Sequence, residues 1–232
     1  MARSWRGTSG FNFYEFLMGR GATCTVMTQA AAADIYNALA LESGWARLCD
    51  PALHFDWPRF TELAELWQSL RGEAALPRRE SMTARRLKDL LPSIALYERF
   101  TGPDGNYRHR VRLEGMRFVR IYGAHTGQVV QDFLSAPNAK RFCAGLDTTL
   151  AAMTPLRFLA RTDSADVNFL SAEFCTMPLA DGQGNPTLIM ICAHYSATPW
   201  EIYFEAAMER LKLAQAKSLA SAARDSVLST AI

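Results

Sequence analysis

His109 and His194 are, by type and spacing, the side chains best placed for chemistry in this chain of 232 residues. From Tyr107 to Glu114 the side chains alternate: Tyr107, His109, Val111 and Leu113 share one face, and Arg108, Arg110, Arg112 and Glu114 share the other. That period of two marks a strand with one dry and one wet face. His194 alternates in the same way with Leu188, Met190 and Cys192. An imidazole on an apolar face must find a hydrogen-bond partner. It can serve as a polar contact at a ligand cavity or as an axial haem ligand, or simply as a core histidine bonded to backbone or to a neighbouring tyrosine. A catalytic version would pair His109 or His194 with an acid such as Glu173, and requires a base within about 3 Å of a substrate proton.

The remaining reactive types point away from common enzyme classes. There is no G-x-S-x-G, no H-E-x-x-H and no Walker loop, and Gly19-Arg20-Gly21 lacks the third glycine of a dinucleotide site. Asn185-Pro186-Thr187 carries proline where a glycosylation sequon forbids it. Cysteines at 24, 49, 143, 175 and 192 are odd in number, with no C-x-x-C pair. They read as buried small hydrophobes in a reducing compartment.

Charge is unevenly distributed. The net formal charge is only +2, yet residues 71–120 hold twelve Lys and Arg against six Asp and Glu. Arg78, Arg79, Arg85 and Arg86 lie in this block and form a candidate partner surface. Glu201, Glu205 and Glu209, spaced four apart near the C-terminus, form the acidic counterpart that would meet such arginines within a dimer. No helix-turn-helix pattern and no aromatic residues interleaved with the basic stretch support nucleic-acid binding. The longest apolar run, Leu188 to Ala193, is too short to span a membrane. With no secretory signal either, a cytoplasmic protein is expected.

The elements that must position these residues follow from periodicity. Helices are predicted over 29–46, 58–70 and 83–90, the last stopped by Pro92. Strands are predicted over 93–100 and 106–114, joined by Gly102-Pro103-Asp104-Gly105 as a hairpin turn. The short apolar-aromatic segment 116–122 comes next, then a helix over 137–153 with Ser135 as N-cap. Strands over 155–161, 167–179 and 186–196 follow, the last two joined across Asp181–Asn185. Residues 188–193 are apolar on both faces, so a cover is needed on the second face of that strand. The C-terminal helix is the candidate cover, with Thr198, Pro199 and Glu201 as its capping box and a stripe of Trp200, Phe204, Ala207, Met208 and Leu211. The plan is α+β with a five-stranded antiparallel sheet. Met27 is read as a candidate true start, with residues 1–26 an extension.

Several short motifs occur in a telling order. They are Trp67-Gln68-Ser69-Leu70-Arg71-Gly72 with Pro77 and Arg79, then Leu90-Leu91-Pro92, then Tyr107-Arg108 with Arg112-Leu113-Glu114-Gly115. Tyr122-Gly123 with Thr126-Gly127 follows, and finally Met177-Pro178-Leu179-Ala180-Asp181-Gly182. In order and spacing these resemble a bacterial single-domain PAS-like family, formerly a domain of unknown function, over about residues 60–198. The resemblance implies a PAS-like fold in which the sheet curls around a small cavity closed by helices between its second and third strands. It also implies dimerisation through flanking helices, and sensing of a ligand or binding of a signalling partner. The family brings no agreed catalytic motif or cofactor.

On this basis the chain divides into an N-terminal tail and helical extension (1–59), a PAS-like domain (60–198) and a C-terminal helix (199–232). The expected function is a non-catalytic sensory or regulatory module acting as a homodimer, with a protein partner or a small apolar ligand. The expected ligand-binding residues are His109, Val111, Phe118, Ile121, Tyr122, Phe158, Met190 and His194, with Leu156 beside Phe158. Either these large side chains fill the interior or they line an open pocket. No cofactor is required, and neither haem nor flavin is expected: Arg141-Phe142-Cys143 lacks the Asn-Cys-Arg context of flavin-binding light sensors. The alternative is a small α+β cone-shaped enzyme or a lipid or small-molecule carrier using His109 or His194.

Overall fold

The computed structural model describes residues 27–162 and 171–213; the expectations for residues 1–26, and for Cys24, lie outside them. Helix α1 (Gln29–Glu42) begins at Thr28, whose hydroxyl accepts from Ala31 N at 3.2 Å. It ends four residues earlier than its Ala- and Leu-rich composition predicts. Gly44 takes φ +65°, and the chain reverses into strand β1 (Arg47–Asp50). The sheet therefore has six antiparallel strands rather than five. A four-residue edge strand carries too few alternations to be read from sequence. It is held because Asn37 of α1 both donates to Cys49 O (2.8 Å) and accepts from Cys49 N (2.7 Å). That side-chain amide satisfies backbone groups that an edge strand would otherwise leave open.

Helix α2 (Pro58–Arg71) starts with proline in its first turn and ends at Gly72 (φ +55°). Helix α3 is a single turn (Ala84–Leu87), and a 3₁₀ turn, Leu91–Ser93, leads into β2 (Ile94–Thr101). Strand β3 (Tyr107–Glu114) completes the hairpin. Helices α4 (Met116–Tyr122), α5 (Val130–Phe133) and α6 (Ala136–Ala152) follow. Strands β4 (Leu156–Arg161), β5 (Ser171–Leu179) and β6 (Leu188–Ser196) complete the sheet in the order β1-β4-β5-β6-β2-β3.

Both faces of the sheet are covered. On the first, Ala95, Tyr97, Val111, Phe158, Phe174, Ile189 and Ile191 pack against α1, α4 and α6. On the second, Leu96, Cys175, Met177, Met190 and Cys192 pack against Phe60, Leu63 and Trp67 of α2. The cover over β6 is thus α2, not the C-terminal helix. The final helix, α7 (residues 200–213), lies farther along the same face, where Trp200 and Ala207 bury Leu48 and Leu159. It starts one residue later than predicted, because Tyr203 N donates to Pro199 O (3.1 Å) while the Thr198 hydroxyl bonds the Ser196 hydroxyl. Cys49, Cys143, Cys175 and Cys192 are free and buried. Among the described residues no helix is long and apolar enough to cross a membrane.

Candidate functional site

The first face of the sheet holds a cavity of about 300 Å³ between the sheet and α4–α6. Phe118, Ile121 and Tyr122 of α4 form one wall. Phe133 and Leu134, at the end of α5, form another with Asn138, Arg141 and Phe142, which share one face of α6. Tyr97, Glu114 and Phe174 form the floor, and Arg47 and Arg161 stand at the β1–β4 edge. Its volume is at the lower end of the range of small-molecule sites, and its lining of aromatic groups with a few polar ones is the usual composition.

Glu114 reaches the cavity through a bulge. The β2–β3 register shifts between Leu96 and Tyr97, so that Leu96 faces Leu113 and Tyr97 faces Val111. Arg112 is left over, and every later side chain changes face. Leu113, inward by simple alternation, is 38% exposed, and Glu114 turns inward to the cavity instead. Its Oε2 accepts from His125 N (2.7 Å) and the Thr126 hydroxyl (3.3 Å). The His125 ring stacks on Phe133 at 3.8 Å, with Nε2 2.8 Å from Tyr122 O.

The other expected ligand residues are distributed around this cavity or away from it. Phe158 lines a small neighbouring void of about 30 Å³ with Tyr36 and Arg47, and Leu156 and Val111 are buried in the core. His109 is also buried, with Nε2 3.1 Å from Asp147 Oδ1 on α6, not in hydrogen-bond alignment. Arg99 stands 3.6 Å from the same oxygen, so the partner of His109 is a carboxylate rather than backbone or tyrosine. Met190 and His194 face the opposite side of the sheet. His194 stacks on Trp57 at 4.7 Å and borders a surface hollow with Arg117 and Arg120. Burial holds its imidazole below the ordinary histidine range, and Arg117 adds to the fall while Glu173 opposes it.

Glu173 is engaged elsewhere. Oε1 accepts from Arg157 Nε (2.6 Å) and Asp56 N (2.9 Å), and Oε2 from Trp57 N (3.0 Å). Arg157, fully buried, also reaches Asp50 (3.1 Å) and Asp56 (2.7 Å). Asp56 in turn pairs with Arg210 of α7. This network ties the β1–α2 connection and α7 to the second face, and periodicity gave no sign of it because its members come from distant segments.

Arg78, Arg85 and Arg86 are exposed, Arg79 is half-buried with its guanidinium donating to Met82 O (3.2 Å), and Glu201, Glu205 and Glu209 are exposed on α7.

A family described as PAS domain matches residues 56–192, more than half of the chain. The chain belongs to the PAS domain family. The antiparallel sheet and the α4–α6 segment between its hairpin and β4 are the architecture expected of that family. The PAS match takes in α2 through most of β6, and β1 and α7 flank it. No curated protein matches the chain.

Proposed function

We propose that this PAS protein is a sensory or regulatory module of bacterial signalling, acting in the cytoplasm as a homodimer that binds a small ligand and relays its presence to a protein partner. The supporting observation is the half-open pocket of about 300 Å³ between α4–α6 and the first face of the sheet. A concave site of this volume, lined by aromatic side chains with a few polar groups, has the usual form of a small-molecule site.

The route from cavity to output is short. Tyr122 of the cavity wall lies 6.4 Å, ring to ring, from Tyr195 near the end of β6, and α7 begins five residues later. We take 60–198 as the PAS unit, with 1–59 and 199–232 as its flanks. The partner surface is assigned to Arg78, Arg79, Arg85 and Arg86 together with Glu201, Glu205 and Glu209 of α7.

Native mass spectrometry of the freshly purified full chain tests this reading. A retained small mass, lost in an Ile121→Trp variant that fills the cavity, supports it. A bare polypeptide mass, or a retained mass indifferent to that substitution, contradicts it.

A further inference from the structure

We infer that the surface hollow bordered by Arg117, Arg120 and His194 takes a phosphomonoester, with its dianionic phosphoryl group held by the two guanidiniums and its apolar body lying against Ile121 and Tyr195. The hollow has a volume of about 310 Å³ and shares only Ile121 with the α4–α6 cavity. It therefore stands independently of the ligand reading given to that cavity.

The first argument is charge. Arg117 and Arg120 stand three residues apart, as neighbours on one side of α4, and both border the hollow. Among the described residues no carboxylate lines it. Glu173, opposite His194 in the β5–β6 register, is committed to Arg157 and to the backbone amides of Asp56 and Trp57. Two guanidiniums with no carboxylate between them favour a doubly charged anion. A phosphoryl group above about pH 7 carries close to two negative charges and offers oxygens to both forks at once.

The second argument is preorganisation. Arg117 Nη1 donates to the hydroxyl of buried Ser93 (3.1 Å), which ties this guanidinium to the 3₁₀ turn before β2 and leaves its other N–H groups for a ligand. The His194 ring is held by its stack on Trp57, 4.7 Å between centroids and 17° between planes. Groups fixed in advance lose little freedom when a ligand arrives. Burial lowers the His194 imidazole, Glu173 opposes that fall and Arg117 adds to it. An anion seated beside Arg117 cancels that cation's push and favours the protonated ring, so the hollow couples its occupant to His194. Ile121 and the Tyr195 ring then give an apolar wall that suits an ester with a ring-bearing body over the bare ion.

Calorimetric titration of the full chain at fixed ionic strength and about pH 7.5, where the monoester is largely dianionic, tests the assignment. The probes are phenyl phosphate, its monoanionic diester methyl phenyl phosphate, and inorganic phosphate. The expected result is phenyl phosphate binding about tenfold tighter than either control, with the NMR titration midpoint of the His194 ring moving upward in its presence. In Arg120→Gln the preference over the diester falls toward unity; Arg120 is exposed, and an unchanged thermal midpoint shows the variant to be folded. Diester binding as tight as monoester overturns the dianion assignment, and inorganic phosphate binding as tight overturns the ester. A preference undiminished in Arg120→Gln, or a His194 midpoint that stays in place, overturns the location. Binding of no probe overturns the site as a whole and leaves the cavity reading, which the retained mass tests, standing.

Discussion

Arg157 carries the largest electrostatic burden of any single side chain described. It is fully buried against Asp50, Asp56 and Glu173, and without it the buried Asp50 and Glu173 would lose the guanidinium that stands between them. Breaking a buried ion pair from one side costs about 3–5 kcal/mol, so Arg157→Met should lower unfolding free energy by that order, read by urea denaturation. A second residue-scale prediction concerns His194. Burial against Trp57 lowers its folded pKa, so the unfolded chain binds its proton more readily. Its contribution to stability is complete above the unfolded value of about 6.5 and is lost as pH falls from there through the lower folded value. NMR titration of the His194 ring should give a midpoint below 6.5, and His194→Phe should flatten the stability loss in that window. A midpoint above 6.5 would be incompatible with the burial seen.

Elements are where sequence and structure agree most closely, and their disagreements have identifiable causes. The β5–β6 hairpin is legible from Asp181–Asn185 because the chemistry is local: Asp181 Oδ1 accepts from Gln183 N (2.9 Å) and Asn185 N (2.8 Å). Helix α2 is legible because Phe60, Leu63 and Trp67 recur at helical spacing and are all buried. Strand β1 escapes notice since its partners, Asn37 and β4, are supplied by tertiary structure. The bulge at Arg112 escapes because a change of face within a strand leaves no mark on composition, and it moves Glu114 from solvent to the cavity. One element junction tolerates no side chain at all. A Cβ at Gly115, between β3 and α4, would collide with the carbonyl oxygens of Leu91 and Pro92. Backbone cannot yield there as a side-chain tip can, so Gly115→Ala should destabilise by about 2 kcal/mol or more, shown by a lowered thermal midpoint. An unchanged midpoint would mean that the 3₁₀ turn before β2 is free to shift.

For the whole molecule, the two faces of the sheet divide the labour. The first face, with α4–α6, borders the half-open cavity and its arginines; the second carries α2, α7 and the buried Arg157 network. One wall of the candidate cavity, Phe118, Ile121 and Tyr122, is readable as the segment after β3. Arg47, Arg141 and Arg161 are not, since they converge only when β1, α6 and β4 fold together. Exposed acids on α7 and exposed arginines on the 78–86 segment predict an association weakened by salt. Analytical ultracentrifugation should show dimers at low ionic strength and a shift toward monomer at high ionic strength, and a monomer indifferent to salt would dismiss that surface. In the proposed relay, cavity occupancy is felt at α7. Hydrogen exchange decides it, comparing protein as purified with protein stripped by denaturation, dialysis and refolding. Stripping should lower protection in α4–α6 and in residues 200–213 while leaving α2 unchanged; identical protection in both preparations would contradict the account.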